Sequence, residues 1–321
     1  AARAVSRLTG ELGVVFMMHR FSDAPRPDYT SVELLRTCLR FLRDERFEAV
    51  TLAELCRRRD AGESPTRLVV FTIDDGYHDF YAHAAPVFEE FGVPATVFLT
   101  TGFLDGDLWQ WWDRVAWAVE ETECRSLTLE LDGRPEVYRW DSRGEAIAVA
   151  DRLAYRLKEV DESVRLRTLE LLEEKLAVTI PVSAPEAYAP MSWEQVRGLA
   201  ARGFEFSPHT VTHPILTRVD REQAKREIEE SRARCEAELG WQPRTFCYPD
   251  GSAEAFSERE AAIVQELGFK GAVTALHGYV PMSEEVDPFR LRRFPFPFHL
   301  SDFIQIVSGL EHLKMKLRGA R

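Results

Sequence analysis

Leu68-Val69-Val70-Phe71-Thr72-Ile73-Asp74-Asp75-Gly76-Tyr77 is the stretch on which the fold turns. Leu68–Ile73 is short, apolar and rich in β-branched residues, with no polar alternation. Such a run suits a strand buried on both faces, as in a parallel sheet covered by helices. It stops abruptly at two adjacent carboxylates and a glycine. In β/α folds the loops after parallel strands gather the functional groups. Two neighbouring carboxylates repel unless a cation or a proton relieves them. Asp74-Asp75 is therefore a candidate site, although Asp-Asp-Gly alone also suits an ordinary turn.

The same pattern repeats on both sides. Val14–Met18 and Ala95–Leu99 are similar apolar runs, and Phe204–Phe206, Thr245–Tyr248 and Gly271–Thr274 read as further strands. Helix signals lie between them. Val32–Leu42 carries Leu35, Cys38, Leu39 and Leu42 on one face. Thr51 with Glu54, Ser192 with Gln195 and Ser257 with Glu260 have capping-box spacing. Asp220 caps a long helix whose inner face is Ala224, Ile228, Cys235 and Leu239, ended by Gly240. Repeated strand–helix units imply an α/β protein with a parallel sheet or a β/α barrel.

The middle breaks the pattern. Leu108, Trp109, Trp111, Trp112, Val115 and Trp117 make an aromatic-rich helix start. Ser126–Leu131 and Glu136–Trp140 flank Asp132-Gly133, a hairpin signal. Ala146–Ala177 is charged, amphipathic and helical, and Pro181–Pro190 is proline-rich. The expected division is 1–104 and 190–321 as the two parts of the barrel, with 105–189 as a mostly helical insertion, either a lid or a structural layer.

Bulk properties narrow the function classes. The chain has 321 residues, 45% hydrophobic and 29% charged, with a net charge of -12. An acidic surface is repelled by phosphate backbones, so no nucleic-acid partner is expected. The basic stretch Leu313–Arg321, with Lys314, Lys316, Arg318 and Arg321, reads as a solvated terminal helix. No apolar run reaches the roughly 18–20 residues of a membrane span. Cys38, Cys56, Cys124, Cys235 and Cys247 form no C-x-x-C pair, which disfavours a zinc knuckle or redox motif and leans towards a reducing compartment. No secretory leader is read at Ala1; a trimmed chain would look the same, so location stays open.

Three clusters carry chemistry. Thr72–Tyr77 is the first. The second is Ser207-Pro208-His209-Thr210-Val211-Thr212-His213-Pro214. Pro214 pushes His213 out of the helical region, so a loop or single turn is expected. Two neutral imidazoles on one loop suit a divalent transition metal. The third is Arg244–Gly251, another strand running into a turn. If each cluster follows a strand, a parallel barrel brings all three to one rim. That gives two histidines and a carboxylate around an open-sided metal, the mark of a catalytic rather than a structural site.

Here the sequence resembles the polysaccharide deacetylases, carbohydrate esterase family four, which share the nodulation-type chitooligosaccharide deacetylase domain. The family's first motif, TFDDG, is matched by Thr72-Ile73-Asp74-Asp75-Gly76. Its second, H-[S/T]-x-x-H-P, is matched by His209-Thr210-Val211-Thr212-His213-Pro214. The resemblance implies a distorted (β/α)7 barrel. It implies that Asp74 is the base and that Asp75, His209 and His213 bind a divalent metal, zinc first, with cobalt, nickel or manganese as alternatives. The implied substrate is a carbohydrate with N-acyl groups.

The third motif departs from the family pattern. Cys247 sits near the place of an arginine that steadies the base, and Asp250 follows Pro249 where tyrosine is usual. Tyr248, Pro249 and Asp250 are the expected oxyanion and substrate segment, through the backbone N–H of Asp250. An extra carboxylate there is unhelpful unless it points away. Arg293, or Arg292, in Leu291–Phe294 is the candidate for the arginine's task. The late Leu-x-His motif is not found. Phe16-Met17-Met18-His19-Arg20 resembles the Tyr-His-Arg segment of a rearranged branch that includes biofilm poly-N-acetylglucosamine deacetylases, which makes His19 the expected acid. Trp112 is a candidate sugar platform. The rival expectations are a sugar-binding relative with impaired catalysis, a deformylase or O-acetyl esterase on a lipid-linked or small sugar, and a non-haem iron oxygenase. The oxygenase also uses two histidines and a carboxylate, but its H-x-D…H order is absent.

Overall fold

A computed structural model describes residues 12–319, apart from 25, 27, 64–66 and 283–285. Ala1 and Arg321 of the sequence expectations lie outside the described residues. Thirteen strands are described: β1 Leu12–Met18, β2 Phe21–Ser22, β3 Thr30–Ser31, β4 Glu48–Val50, β5 Leu68–Ile73, β6 Thr96–Leu99, β7 Ser126–Leu131, β8 Arg134–Arg139, β9 Glu205–Pro208, β10 Thr245–Cys247, β11 Gly271–His277, β12 Val280–Pro281 and β13 Leu291–Pro295.

Nine of them form the main sheet, in which β4 adds to β5 in parallel and β12 to β1 antiparallel; seven make its continuous path, β10-β11-β13-β1-β5-β6-β9, with every neighbouring pair parallel. This is chain order wrapped into a ring: β13 pairs with β1, and the seam falls between β9 and β10. Side chains bridge that seam. Thr245 Oγ1 lies 2.8 Å from Ser207 Oγ and donates to Glu205 Oε1 at 2.8 Å. The architecture is the expected distorted (β/α)7 barrel.

Strand periodicity sorts the core. Val15, Leu68, Val70, Phe98, Cys247, Val273 and Leu291 share one apolar cluster inside the ring, closed at one end by Leu52, Leu55 and Cys56. The alternate residues Val14, Phe16, Val69, Phe71, Val97 and Phe206 pack outward with the helices. Each such side chain, fully buried, is worth about 1.5–3 kcal/mol. A slip of one residue would exchange the two sets, so the register is firmly specified. The inward set of β5 runs Leu68, Val70, Thr72 and on to Asp74. The same count leads to His19, His209, Cys247 and Arg293.

The helices begin where the caps predict. Ser192 and Ser257 make full capping boxes, Asp220 accepts from Gln223 N, and Gly240 takes the left-handed conformation at φ 79°. Thr51 caps its helix by accepting from Glu54 N. Asp132 and Gly133 both have positive φ, as the two-residue hairpin turn between β7 and β8 requires. The charged segment after the hairpin is two helices, Arg143–Glu159 and Glu162–Leu176, broken at Val160-Asp161. Their apolar faces join the same core as the barrel's outer layer. No helix among the described residues is long and apolar enough to cross a membrane. Lys314 and Lys316 lie on the last helix, Leu310–Gly319.

Candidate active site

The site sits at the C-terminal ends of β1, β5, β9 and β10, above an interior layer that includes Arg293 of β13. Asp75, His209 and His213 converge. Asp75 Oδ1 lies 3.7 Å from His209 Nε2 and 3.6 Å from His213 Nε2, and all three side chains are buried. Asp75 Oδ1 has no hydrogen-bond partner. A buried carboxylate oxygen left unpaired is costly. Burial, followed by the negative charges of Asp74 and Asp113, pushes the Asp75 carboxyl well above its usual pKa.

The histidines are prepared in the complementary sense. His209 Nδ1 faces the Cys247 carbonyl at 2.8 Å. The N–H is assigned to Nδ1 on that contact, which leaves the Nε2 lone pair facing Asp75. Burial lowers the His209 pKa to about 4 and that of His213 well below its ordinary value. Both imidazoles are thus neutral near pH 7. Two neutral imidazoles and a carboxylate, facing one point with an unpaired oxygen among them, fit a divalent metal such as zinc.

A second set, Asp74, His209 and Cys247, also brings its donor atoms within 4.8 Å of one another. The chemistry of its members disfavours it. Arg293 donates Nη1 to Asp74 Oδ1 and Nη2 to Asp74 Oδ2, both at 2.8 Å, and its Nη2 is 3.2 Å from Cys247 Sγ. A cation there would meet the guanidinium. Burial also pushes the Cys247 thiol well up, so no thiolate forms.

Asp74 is instead held as an ionised, immobile carboxylate. The fork from Arg293 is fixed in turn by Nε donating to Thr274 O at 2.8 Å and Nη1 to Thr72 Oγ1 at 2.9 Å. Burial alone would raise the Asp74 pKa; the Arg293 charge and hydrogen bonds reverse that and bring it to about 2. His19 Nε2 is 3.7 Å from Asp74 Oδ2, and the imidazole is 45% exposed towards the cavity.

Replacing the fork tests this arrangement. Arg293→Lys keeps the charge but loses bidentate geometry. A carboxylate with a lowered folded pKa gives stability that is full above about pH 3.8 and lost as pH falls through about 2. Arg293→Lys is expected to raise the Asp74 pKa, move the acid limb of activity to higher pH and lower kcat about tenfold. An unchanged pH profile would remove Arg293 from the site.

The loop carrying the histidines is not helical. Thr210 and His213 have positive φ, as do Asp75 and Asp250 at the neighbouring rim positions. Strained residues of this kind persist where surrounding contacts over-determine them. Glu227 supplies such contacts: Oε2 accepts from Val211 N at 2.8 Å and Thr212 N at 2.9 Å, and Oε1 accepts from Thr212 Oγ1 at 2.6 Å. Gly102 allows the loop close, because a Cβ there would come 2.8 Å from Val211 O. Glu227→Ala is expected to weaken metal affinity about 10–100-fold, measured by calorimetric titration, since it frees both ligands from one support.

A cavity of about 690 Å³ opens from this centre. Trp112 lines it, with its ring edge on His213 at 4.7 Å. Its Nε1 donates to Tyr77 OH at 3.1 Å, which donates to Asp113 at 2.6 Å. Arg20 lies 3.9 Å over the Tyr77 ring and pairs with Asp79 at 2.6 Å. Trp109 belongs to the core, donating to Pro181 O. The helix Arg143–Glu159 forms one wall through Ile147, Asp151, Ala154, Tyr155 and Lys158.

Two expectations need correction. The Tyr248 side chain does not reach the cavity: it points to the outer core, stacked on Phe256 at 4.7 Å and donating to Phe289 O. Strand alternation explains this, since Tyr248 follows inward-facing Cys247. Pro249 is buried and does not line the cavity either. Of this segment only Asp250 does. Arg292, the alternative to Arg293, is exposed and donates to His277 O. Glu227, Lys158 and Asp113 were not singled out from sequence, and Tyr77 only as the last residue of the first cluster. Glu227 had a signal, a carboxylate on the inner face of an amphipathic helix; Lys158, far away in the chain, had none.

A family profile described as polysaccharide deacetylase matches residues 61–137 and 166–272, more than half of the chain. No curated protein matches the sequence. Among solved structures, the chain resembles the deacetylase PplD of Streptococcus pyogenes, in complex with acetate (17% identity, TM-score 0.60, 90% of this chain and 93% of that one). It also resembles IcaB from Ammonifex degensii (16%, 0.57, 94% and 97%) and a de-N-acetylase from Aggregatibacter actinomycetemcomitans (13%, 0.59, 92% and 99%). At these identities the likeness speaks for the fold.

Proposed function

We propose a specific activity for this chain, which belongs to the polysaccharide deacetylase family: it hydrolyses N-acetyl groups on amino-sugar residues, with Asp74 as base and Asp75, His209 and His213 holding a divalent metal, zinc first. The observation that carries the reading is the pairing of an unpaired, buried Asp75 Oδ1 facing two neutral imidazoles with an arginine-clamped Asp74 beside it. A pure metal-binding or sugar-binding site has no use for the second carboxylate, which argues against an impaired relative.

A divalent cation bound there supplies Lewis-acid polarisation of the amide and a lowered pKa for water. The chain's own residues do the rest. Asp74, ionised and fixed by Arg293, accepts the proton of the attacking water; its low pKa costs driving force but keeps the acceptor charged and in place. The backbone N–H of Asp250, a residue of the cavity rim, is assigned to the oxygen that gains charge. Burial lowers the His19 pKa, with the Asp74 charge opposing that; in this reading His19, at the open side of Asp74, takes up a proton during turnover and passes it to the departing nitrogen, which is otherwise a poor leaving group. Trp112 offers an aromatic wall to the sugar. Acetate and an amine are released.

The deciding experiment is release of acetate and of formate from a panel of N-acyl and O-acetyl sugars, with and without chelator. Chelator-sensitive acetate release from N-acetylated oligomers is expected. Formate release, or action on esters alone, would replace the substrate assignment.

A further inference from the structure

The carboxylate of Asp250 stands where it should do harm. In the mechanism above, on which this inference rests, the Asp250 backbone N–H faces a developing negative charge. A free carboxylate on the same residue would repel that charge. It is not free. Oδ2 lies 2.7 Å from Lys158 Nζ, and Oδ1 accepts from Ser252 N at 3.2 Å. The two donors hold the carboxylate from both sides, and Lys158, with burial opposing it, keeps its pKa low.

Lys158 comes from the helix Arg143–Glu159, far from Asp250 in the chain, and both residues line the cavity with His19, Asp74 and His209. The turn it grips is demanding. Asp250 and Gly251 have φ of 61° and 63°, and a Cβ on Gly251 would meet Ala275 N at 2.6 Å. Gly251 also accepts from Ala275 N at 2.8 Å. The backbone is thus fixed on the Gly251 side by the barrel and on the Asp250 side by the inserted helix.

We propose that Lys158 is a positioning residue for the hydrolysis: its ammonium cancels the Asp250 charge and holds the turn so that the Asp250 N–H stays aimed at the reacting oxygen. The insertion then completes the rim of the active site instead of only covering it.

The test is a double-mutant cycle on acetate release from an N-acetylglucosamine pentamer by the zinc-loaded full chain. Lys158→Met is expected to lower kcat about 10–100-fold with KM nearly unchanged, and Lys158→Arg to retain most activity. Asp250→Asn keeps the N–H and removes the charge, so it loses less than Lys158→Met. The double variant Lys158→Met/Asp250→Asn recovers at least tenfold over Lys158→Met. Thermal melts and zinc titration calorimetry on every variant separate this from unfolding or metal loss. A double variant as slow as Lys158→Met would overturn the proposal, leaving Lys158 as a strut; a loss confined to KM would overturn it in favour of a substrate contact. Wild type and Asp74→Asn run in the same assay report on the parent mechanism independently. A wild type that releases no acetate defeats that mechanism, whereas an active wild type with no rescue defeats only the role of Lys158.

Discussion

Asp74→Asn is expected to lower kcat by about 10³-fold, within the range of roughly 10²–10⁴ for loss of a general base, while zinc still binds. The asparagine has nearly the same shape but cannot accept the water's proton. Metal affinity is expected to survive because the proposed ligand set is Asp75, His209 and His213, and Asp74 is not a member of it. A second consequence follows from Arg293. Its guanidinium is buried and pairs bidentately with Asp74. Removing one partner of a buried ion pair leaves the other charge uncompensated, at a cost of about 3–5 kcal/mol. The variant should therefore melt earlier than wild type, and the assay belongs well below that melting point. Near-normal turnover in a folded, zinc-loaded Asp74→Asn protein would sink the base assignment.

Much of this arrangement was legible in sequence because its elements announce themselves locally. Three of the seven barrel strands, β1, β5 and β6, are continuous apolar runs, and β9, β10 and β11 were legible as shorter strands in the same strand–helix rhythm. The seventh, β13, was not: it carries Arg292 and Arg293 within five residues, and a strand with a buried arginine does not look apolar. The same fact hid the site's anchor, which was named only as a substitute for a missing motif arginine. Asp74, Asp75, His209 and His213 were legible because each lies beside the end of its strand, where chemistry collects in such folds. Tyr248 was misplaced because the motif was followed without counting the strand's alternation. Glu227 and Lys158 act across long sequence separations, and only the packing of helices on the rim brings them in. The hairpin was read correctly from Asp132-Gly133, since its turn geometry is a property of two residues.

Asp75→Asn should produce opposite effects with and without metal. In the metal-free protein Asp75 is a liability. Its carboxyl pKa is raised well above 3.8 by burial and by Asp74 and Asp113. A group that binds its proton more tightly when folded makes the folded state lose stability as pH rises from about 3.8 through the raised pKa. At pH 7 the metal-free variant is therefore expected to be at least as stable as metal-free wild type. Zinc reverses the order. A ligand that binds only the folded state adds about 4 kcal/mol at a free concentration 1,000 times its Kd. For a chain of this size that raises Tm by roughly 6 °C. The variant, left with two neutral imidazoles and a neutral amide, should show little of that shift and no measurable deacetylation. Differential scanning calorimetry with zinc and with chelator gives all four melting points. If zinc stabilised Asp75→Asn as much as wild type, the metal would have to lie elsewhere, and Asp74, His209 and Cys247 would become the set to test.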